Sequence, residues 1–287
     1  MKKASIFAFS IPENAQPVSD AELYNNSYER CLMHTKESLM RDLEALAINP
    51  AGTLFVHSSY KSIGEVEGRA DTVLDALSEY MADGLLVLPT HTWSNTNPKN
   101  PVMDVLYTPA CVGILPERFR KRPGVLRSLH PTHSVAALGH DAQAFIEGEQ
   151  TRTTPCPEGG VYHRLYMRGA QILLIGVNFT RNTFLHGVEE WEHVPGTLSP
   201  ELEEIHVIDE TGRRYYAPQH RHCAPLVSET FWKVEPVAIR DGATTVGKFG
   251  DAKVFLSDAR RLRDTVARIF AIDPAALMDN EPLDERF

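Results

Sequence analysis

Two polar stretches of the sequence contain the residues best suited to chemistry. Residues 127–134 (Arg-Ser-Leu-His-Pro-Thr-His-Ser) run directly into an apolar strand, and residues 182–190 (Asn-Thr-Phe-Leu-His-Gly-Val-Glu-Glu) follow another one. In α/β proteins, the ends of neighbouring strands bring such distant segments together. We therefore expect the two stretches to line a common site.

The second stretch predicts a helix with ionisable side chains on one face. At spacings of three, four and seven residues, the members of this face are His186, Glu189, Glu190 and His193. A histidine has an ordinary pKa near neutral pH, so it can accept a proton, and a neighbouring carboxylate can fix its tautomer. This face therefore favours acid–base chemistry.

A metal-dependent hydrolase is the main alternative use of the same residues. A catalytic zinc needs three protein ligands and a water. The donors available are His186, Glu189 or Glu190, His193, and one of His220, His222 and Cys223. Their spacing matches no established zinc motif, and the helix has no His-Glu-x-x-His. A non-catalytic relative that only binds a ligand is the third possibility.

Composition and charge argue against a nucleic-acid-binding protein and against a membrane protein. The chain has 287 residues, 43% of them hydrophobic, and a net charge of −9. A general nucleic-acid binder requires a basic face, so no nucleic-acid partner is expected. The apolar runs are shorter than the ~20 residues of a membrane helix, and the first one is shorter than a secretory core. We expect a cytoplasmic protein without a membrane partner.

One basic cluster stands out in this acidic chain. Five cations fall within ten residues: Arg118, Arg120, Lys121, Arg122 and Arg127. The cluster could be the solvated face of a helix or an anion site. A second candidate for anion binding is the loop after the strand at 53–56, where small residues and Gly64 and Gly68 would let backbone N–H groups approach a phosphate.

Alternating strand and helix patterns predict an α/β fold. Strands are expected at 53–56, 85–88, 134–138, 171–177 and 252–256, and helices at 35–48, 70–81, 109–122, 141–147, 162–167, 182–192 and after Ser257. Thr35, Thr108 and Ser257 are expected to cap the helices that follow them, and Gly169 to end the helix at 162–167. A turn is expected at 247–251, and the last helix should bury Ala259, Leu262, Val266, Ile269 and Phe270.

We predict a single layered domain over residues 35–287 with a central mixed sheet flanked by helices. An antiparallel hairpin near residues 204–217 is added to it. Residues 1–34 are expected to form a leader packed on this domain.

The ordered series of motifs resembles the aminoglycoside 3-N-acetyltransferase family. The matching segments are His57-Ser-Ser, Leu88-Pro-Thr-His-Thr92, Gly113-Ile-Leu-Pro-Glu-Arg-Phe-Arg120, the two opening stretches, and Ile172-Leu-Leu-Ile-Gly176 between them. They extend over roughly residues 35–270. The resemblance implies acetyl-CoA as donor and a small amine, aminoglycoside-like or other, as acceptor.

The resemblance also implies roles for individual residues. His186 and Glu189 would be the catalytic pair. The coenzyme A cleft would be lined by His57, Ser58, Ser59, Arg127 and Ser128. Acetyl transfer to an amine requires a base and stabilisation of an oxyanion. Direct attack in a ternary complex requires no protein nucleophile, which agrees with the missing Gly-x-Ser-x-Gly motif. By the family pattern, His186 would act as the general base.

The acceptor is expected to contact the long loop at residues 91–108. A long loop after a parallel strand is commonly functional. The substrate-binding candidates are His91, Trp93 and Asp104 of this loop, together with Glu190. His130, made rigid by Pro131, is expected to support the cleft. The protein is expected to be a monomer or a homodimer.

Overall fold

A seven-stranded mixed sheet forms the centre of the fold. The computed structural model describes residues 33–223 and 227–287. Its strands are β1 Thr53–Ser58, β2 Leu85–Pro89, β3 Val102–Asp104, β4 Leu126–Arg127, β5 Val135–Leu138, β6 Gln171–Ile175, β7 His206–Ile208, β8 Arg214–Tyr216, β9 Thr244–Phe249 and β10 Ala252–Asp258. The order in the large sheet is β4-β5-β2-β1-β6-β10-β9. The three central strands are parallel, whereas β5 and β10 run antiparallel to them.

Helices cover both faces of this sheet. They are α1 Lys36–Ala45, α2 Arg69–Tyr80, α3 Ile114–Phe119, α4 Ala142–Ile146, α5 Val161–Arg168, α6 Phe184–Trp191, α7 Val234–Arg240 and α8 Ala259–Ile272. Side chains alternate along a strand, so one face of the sheet packs on α1 to α3 and the other on α4 to α8. The predicted mixed sheet flanked by helices is confirmed.

The predicted hairpin is confirmed, and it belongs to a small second sheet. Strands β7 and β8 pair antiparallel, and β3 adds to β7 in parallel register. Their buried side chains form a separate apolar cluster of Met103, Val105, Val207 and Ala217. The interpretation of residues 91–108 as entirely irregular is therefore wrong at β3. Three residues are too few to show strand periodicity, and the partner strand lies about a hundred positions later.

Two predicted helix starts are wrong. Instead of capping a helix, the Thr108 hydroxyl accepts a hydrogen bond from the Asp104 N–H at 2.9 Å, and α3 begins only after Gly113. Ser257 lies inside β10, and its hydroxyl is hydrogen-bonded to Thr244. Asp258 caps α8 in its place, accepting from the N–H groups of the first turn.

The turn predicted at residues 247–251 is shorter than expected. Gly247 pairs with Val254 inside β9, and the chain reverses at Gly250 and Asp251. Gly250 has φ +57°, and a Cβ there would approach the Ile63 carbonyl oxygen to 2.5 Å. A residue with a side chain would therefore be strained and crowded at this position.

Several predicted features of the helices are confirmed. Thr35 caps α1 in a capping box with Ser38. Gly169 ends α5 in the left-handed conformation. The predicted inward face of α8 is buried at Ala259, Leu262, Val266, Ile269 and Phe270.

Two further predictions concern the N-terminal leader and membrane-spanning helices. The predicted leader at residues 1–34 lies outside the described residues, except for its last two. No helix among the described residues is long and apolar enough to span a bilayer.

Candidate active site

A cavity of about 610 Å³ opens where the three central parallel strands end. His57 and Ser58 reach it from the end of β1, and Pro89 from the end of β2. The segment after β6 and the first turn of α6 form another wall. Ligands bind at this edge of open α/β sheets because the loops that follow parallel strands converge there. Both polar stretches reach the cavity, the first through His133 and the second through His186.

His186 and Glu189 form a buried pair one turn into α6. The Nδ1 atom of His186 lies 2.8 Å from Oε2 of Glu189, and the side chains are only 8% and 5% exposed. With Nδ1–H donating to the carboxylate, Nε2 retains a lone pair. His186 lines the cavity while Glu189 lies behind it, so the imidazole is the member of the pair that can meet a ligand. This geometry follows directly from the i, i+3 spacing in the sequence.

A second imidazole–carboxylate pair lies against the first. The rings of His186 and His222 are stacked, with centroids 4.0 Å apart and planes 21° apart. His222 Nε2 lies 2.9 Å from Glu190 Oε1. Glu190 also accepts hydrogen bonds from the Thr154 hydroxyl and from the Cys156 N–H. Burial lowers the pKa of His222 well below its usual value and raises the pKa of Glu190.

Further histidines make the adjoining wall electrically neutral. His57, His91 and His133 all line the cavity. Burial lowers the pKa of His57 to about 3 and those of His91 and His133 well below 6.5. His91 Nε2 is held by the Tyr162 hydroxyl at 2.7 Å. These rings present hydrogen-bonding atoms without a positive charge.

His130 supports the wall from behind, as expected. It is fully buried, its Nδ1 accepts from the N–H groups of Thr132 and His133, and its Nε2 is 3.0 Å from the Thr154 carbonyl oxygen. Burial lowers the pKa of His130 to about 4. Its nitrogen atoms are therefore used to fix the backbone of the first polar stretch.

The predicted site residues divide into two groups. His57, Ser58, His91, Trp93 and His186 line the cavity. The others lie away from its wall: Ser59, Asp104, Arg127, Ser128, Glu189 and Glu190.

Arg127 is occupied by contacts within the protein. It is 8% exposed, and its guanidinium donates to the carbonyl oxygens of Thr90, Val105 and Thr108 and to the Ser134 hydroxyl. It thereby joins the strand ends to the loop that follows β2. Ser128 is also buried, and its hydroxyl accepts from the Val135 N–H. Neither residue has the exposed donors that the expected coenzyme contact requires.

The rest of the basic cluster is ion-paired: Arg120, whose side chain is only 3% exposed, contacts Glu117, and the other three cations are more exposed. Arg118 contacts Asp71, Arg122 contacts Asp75, and Lys121 contacts Glu117.

Two arginines line the cavity: Arg221, which is ion-paired with Glu203, and Arg181, which is exposed and forms no hydrogen bond with another described side chain. Arg181 follows β6 in a short 3-10 turn at Phe179–Arg181. No basic pattern marks this single arginine in the sequence.

The loop after β2 is held in place by Arg221. Its guanidinium donates to the carbonyl oxygens of Trp93 and Thr96, at 3.0 and 2.6 Å, and forms an ion pair with Glu203 at 2.6 Å. This contact holds Trp93 at the cavity wall. Asp104 has a local role, because its carboxylate accepts from the N–H groups of the two residues that begin the next turn.

The donors of the alternative metal site are not arranged around one ion, although His186, Glu189, Glu190 and His222 are neighbours. His193 is exposed beyond the end of α6, and His220 Nδ1 is bonded to the Ser199 carbonyl oxygen. Within residues 33–223 and 227–287, no three His, Cys, Asp or Glu side chains are arranged to hold one ion. The ligand set considered for a metal-dependent hydrolase is therefore not assembled.

Comparison with known proteins agrees with the motif series. The profile of the aminoglycoside 3-N-acetyltransferase family matches residues 55–271. Aminoglycoside N(3)-acetyltransferase VII of Streptomyces paromomycinus is 29% identical over 204 residues, which are 65% of this chain and 70% of that protein. The prophage-derived aminoglycoside N(3')-acetyltransferase-like protein YokD of Bacillus subtilis is 32% identical over 184 residues, covering 54% of this chain and 64% of that protein.

Solved structures show the same fold. The YokD crystal structure superposes with a TM-score of 0.74 at 26% identity, covering 85% of this chain and 95% of that chain. AAC-IIIb in a binary complex with CoASH gives a TM-score of 0.74 at 23% identity, with 84% and 97% covered. With a family match over three-quarters of its length and this shared fold, the chain belongs to the aminoglycoside 3-N-acetyltransferase family, whose members are acyltransferases.

Proposed function

We propose that the protein transfers the acetyl group of acetyl-CoA to an amine by direct attack in a ternary complex, with His186 as general base. The observation that supports this most directly is the buried His186–Glu189 pair, whose free Nε2 faces a cavity at the ends of the parallel strands. The AAC-IIIb structure that contains CoASH has the same fold. That likeness supports the choice of coenzyme.

The cavity has polar groups that fit a coenzyme A arm. His57 Nε2, the Ser58 hydroxyl and both polar atoms of the Asn182 side chain are buried without a hydrogen-bond partner. Leaving buried polar atoms unpaired costs about 1–3 kcal/mol each. All three residues border the cavity. Amide and carbonyl groups of a bound pantetheine arm would satisfy them.

Arg181 is the phosphate contact that we propose in place of Arg127. A second, more open groove shares Val177, Thr180 and Arg181 with the cavity and also contains Lys253. Coenzyme A carries several phosphate charges at the end remote from its thiol. A coenzyme with its thioester near His186 could place those charges near Arg181.

His186 moves the proton in the proposed reaction. Its Nε2 takes a proton from the amine as the amine nitrogen bonds to the thioester carbonyl carbon. The tetrahedral intermediate then breaks its C–S bond, and His186 returns the proton to the leaving sulfur. Glu189 stabilises the imidazolium that exists between these steps. Because the stacked His222 is neutral, the new charge meets no second cation at 4.0 Å.

The start of α6 is suited to stabilising the oxyanion. Asn182 and Thr183 border the cavity directly before the first residue of this helix. The N–H groups of Leu185 and His186 donate to the carbonyl oxygens of Asn182 and Thr183, whereas those of Thr183 and Phe184 have no hydrogen-bond partner among the described residues. The helix dipole favours negative charge at this end. We therefore propose that this helix end and the Asn182 amide contact the thioester oxygen.

Two measurements test the proposed function. Calorimetric titration with acetyl-CoA should show saturable binding, and free thiol should appear when acetyl-CoA is mixed with a suitable amine. A coenzyme that does not bind at millimolar concentration would refute the proposal. Coenzyme binding without thiol release across a broad amine panel would favour a non-catalytic ligand-binding protein.

A further inference from the structure

Two protons must leave the amine in the proposed reaction, and His186 accounts for only one of them. An amine is mostly an ammonium ion at neutral pH, as the ordinary lysine pKa of about 10.4 illustrates. Acetylation of an ammonium ion by acetyl-CoA therefore yields an amide, CoASH and one free proton. The proton that His186 passes to the sulfur is the second to leave the nitrogen. The first must leave before attack, because only the neutral amine has the lone pair that bonds to the carbonyl carbon.

The His222–Glu190 pair is placed to receive that first proton. His222 lines the same cavity as His186, and the two rings are stacked with centroids 4.0 Å apart. Their carboxylate partners are consecutive residues of α6, each only 5% exposed, and neither borders the cavity. The site therefore contains two stacked imidazole–carboxylate pairs, with both rings on the ligand side.

The two rings are bonded through opposite nitrogen atoms. His186 uses Nδ1 for its carboxylate, whereas His222 uses Nε2, which lies 2.9 Å from Oε1 of Glu190. Among the described residues, none forms a hydrogen bond with Nδ1 of His222. Each ring thus has one nitrogen bonded to a carboxylate and one available for a ligand. An imidazole with this arrangement can accept a proton at one nitrogen and release one from the other.

The buried carboxyl group is the better final position for the transferred proton. Burial lowers the pKa of His222 well below its usual value and raises the pKa of Glu190. A proton that reaches Nδ1 therefore displaces the Nε2 proton onto Glu190, which leaves a neutral ring and a neutral carboxylic acid. The Thr154 hydroxyl and the Cys156 N–H hold this carboxyl group in place. The charges of the ammonium ion and the carboxylate both disappear, which favours the transfer in a buried site.

We propose that His222 and Glu190 form a proton relay that converts the bound ammonium ion into the attacking amine. Nδ1 of His222 accepts one N–H proton as Nε2–H passes its own proton to Oε1 of Glu190. His186 then takes the second proton during attack, beside a neutral ring. After the products leave, Glu190 returns its proton to Nε2 and Nδ1 releases its proton to water. This role rests on the proposed acetyl transfer and adds two residues to it.

The described groups around His222 are neutral imidazoles and paired charges. The first polar stretch contributes His133, whose ring centroid is 5.5 Å away, and His130 behind it. Burial lowers the pKa values of both. The preceding residue, Arg221, is paired with Glu203, and α6 contributes the three groups already described: His186, Glu189 and Glu190. The bound ammonium ion is therefore the group whose ionisation should control turnover when the relay is broken.

The His222→Gln variant tests the relay through the pH dependence of kcat/KM. Thiol release is measured on the intact protein with the fastest acceptor of the amine panel, which includes gentamicin, glucosamine and benzylamine. Glutamine keeps a donor for Glu190 but cannot pass a proton, so the variant uses only the neutral fraction of the amine. Relative to the wild type, its kcat/KM should fall about tenfold for each pH unit below the pKa of the amine. Above that pKa the two enzymes should converge, and the affinity for CoASH should not change.

The Glu190→Gln variant tests the other member of the relay. Glutamine keeps the volume of the side chain and an acceptor oxygen for Thr154 but cannot take up a proton, so the same pH profile is expected. The double variant should be no slower than the slower single variant, because a relay fails as a unit. His140→Gln, at a histidine whose side chain is 76% exposed, is the matched control and should keep the wild-type profile. Thermal unfolding checks each variant, and if only one folds, its profile decides.

The possible results distinguish the relay from the proposed function. A loss by the same factor at every pH would show that His222 and Glu190 only support the structure, and would overturn the relay while acetyl transfer stands. Additive losses in the double variant would also overturn it. A wild-type protein that does not bind acetyl-CoA, or releases no thiol across the amine panel, would instead refute the proposed function, and the relay with it.

Discussion

At the scale of single residues, His186 is the group on which the proposed chemistry depends. We expect His186→Ala to lower kcat by roughly 10²–10⁴ because proton transfer loses its base. The affinity for CoASH should remain nearly unchanged, since the proposed coenzyme contacts lie on Arg181, Asn182 and the end of β1. Steady-state kinetics and calorimetry on the same preparation measure both quantities.

Glu189→Gln is the matched variant for this prediction. The glutamine can still hold the ring through its side-chain oxygen but cannot stabilise the imidazolium by charge. Its kcat should fall, and by less than that of His186→Ala. A His186→Ala enzyme with normal turnover would remove the residue from the mechanism.

A second residue-scale prediction separates two arginines. Arg181→Ala should weaken CoASH binding by about 1.5–3 kcal/mol if a charge-assisted phosphate contact is lost, and should leave thermal stability unchanged because Arg181 is exposed. Arg127→Ala should lower thermal stability and leave CoASH binding unchanged, since it removes donors from the buried carbonyl oxygens of Thr90 and Val105 and from the partly buried one of Thr108. Calorimetry and thermal unfolding of both variants give the comparison. A pure loss of coenzyme affinity in Arg127→Ala would restore its predicted phosphate contact.

The sequence showed part of the site because that part is local. His186 and Glu189 lie within one turn of a helix, so their spacing alone predicts their contact. The stack of His186 on His222 joins residues 36 positions apart, and no periodicity reports such a contact. No sequence pattern predicts that Arg181 lines the cavity, because a lone arginine has no periodicity. The density of cations at residues 118–127, in contrast, is visible in the sequence. Ion pairing and burial, which decide the roles of those arginines, depend on the tertiary structure.

At the scale of elements, the apolar runs predicted the central strands and most helices well. The strand at 171–175 and the helix at 69–80 have long, clear patterns, and both occur within a few residues of the predicted positions. The errors fall where the local signal is short or ambiguous. Strand β3 has three residues, and Thr108-Pro109 has the form of a helix start although its hydroxyl is used by a turn.

The buried carboxyl group of Glu149, at the start of α5, predicts that stability depends on pH. This carboxyl is 1% exposed, and its Oε1 accepts from the Val161 N–H in the first turn of the helix. Burial raises the pKa of Glu149 to about 7, against the opposing effect of Arg164 and Arg152. The folded pKa therefore exceeds the unfolded one. The stabilising contribution of Glu149 is fully present below about pH 4.5 and is lost as pH rises through 7.

The Glu149→Gln variant tests this linkage. Glutamine keeps an acceptor oxygen for Val161 but does not ionise. Between pH 5 and 8, the free energy of unfolding of the wild type should fall relative to that of the variant by roughly 2–3 kcal/mol. Urea unfolding of both proteins at the two pH values measures the difference. Glu147→Gln, on an exposed neighbour, should show no such change, and equal pH dependence of Glu149→Gln and wild type would contradict the prediction.

At the scale of the whole molecule, folding places several neutral histidines in or directly behind the wall of one cavity. Burial lowers the pKa values of five of them: His57, His91, His130, His133 and His222. They come from four separate segments, which only the converging ends of the central strands and the late loop bring together. The same burial that gives the site neutral imidazoles should also make the fold sensitive to acid.

The direction of the pKa shifts shows that the protein loses stability as pH falls. In the unfolded chain these histidines bind protons near pH 6.5, whereas in the folded protein they stay neutral to lower pH, to about 4 for His130 and about 3 for His57. Their contribution to stability is therefore fully present above about pH 6.5 and is lost as pH falls toward 4. Each histidine should contribute up to about 1.4 kcal/mol per pH unit within that window.

We expect unfolding at pH 5 to take up roughly four protons, after allowing for the proton that Glu149 releases. Calorimetric unfolding in buffers of different ionisation enthalpy counts these protons directly, and uptake should be much smaller at pH 7.5. His57→Gln should lower the count at pH 5 by about one, because His57 is neutral in the folded protein and charged in the unfolded chain. Unfolding at pH 5 without proton uptake would show that these imidazoles are already charged in the folded protein. The neutral wall around His186, on which the proposed mechanism relies, would then not exist at that pH.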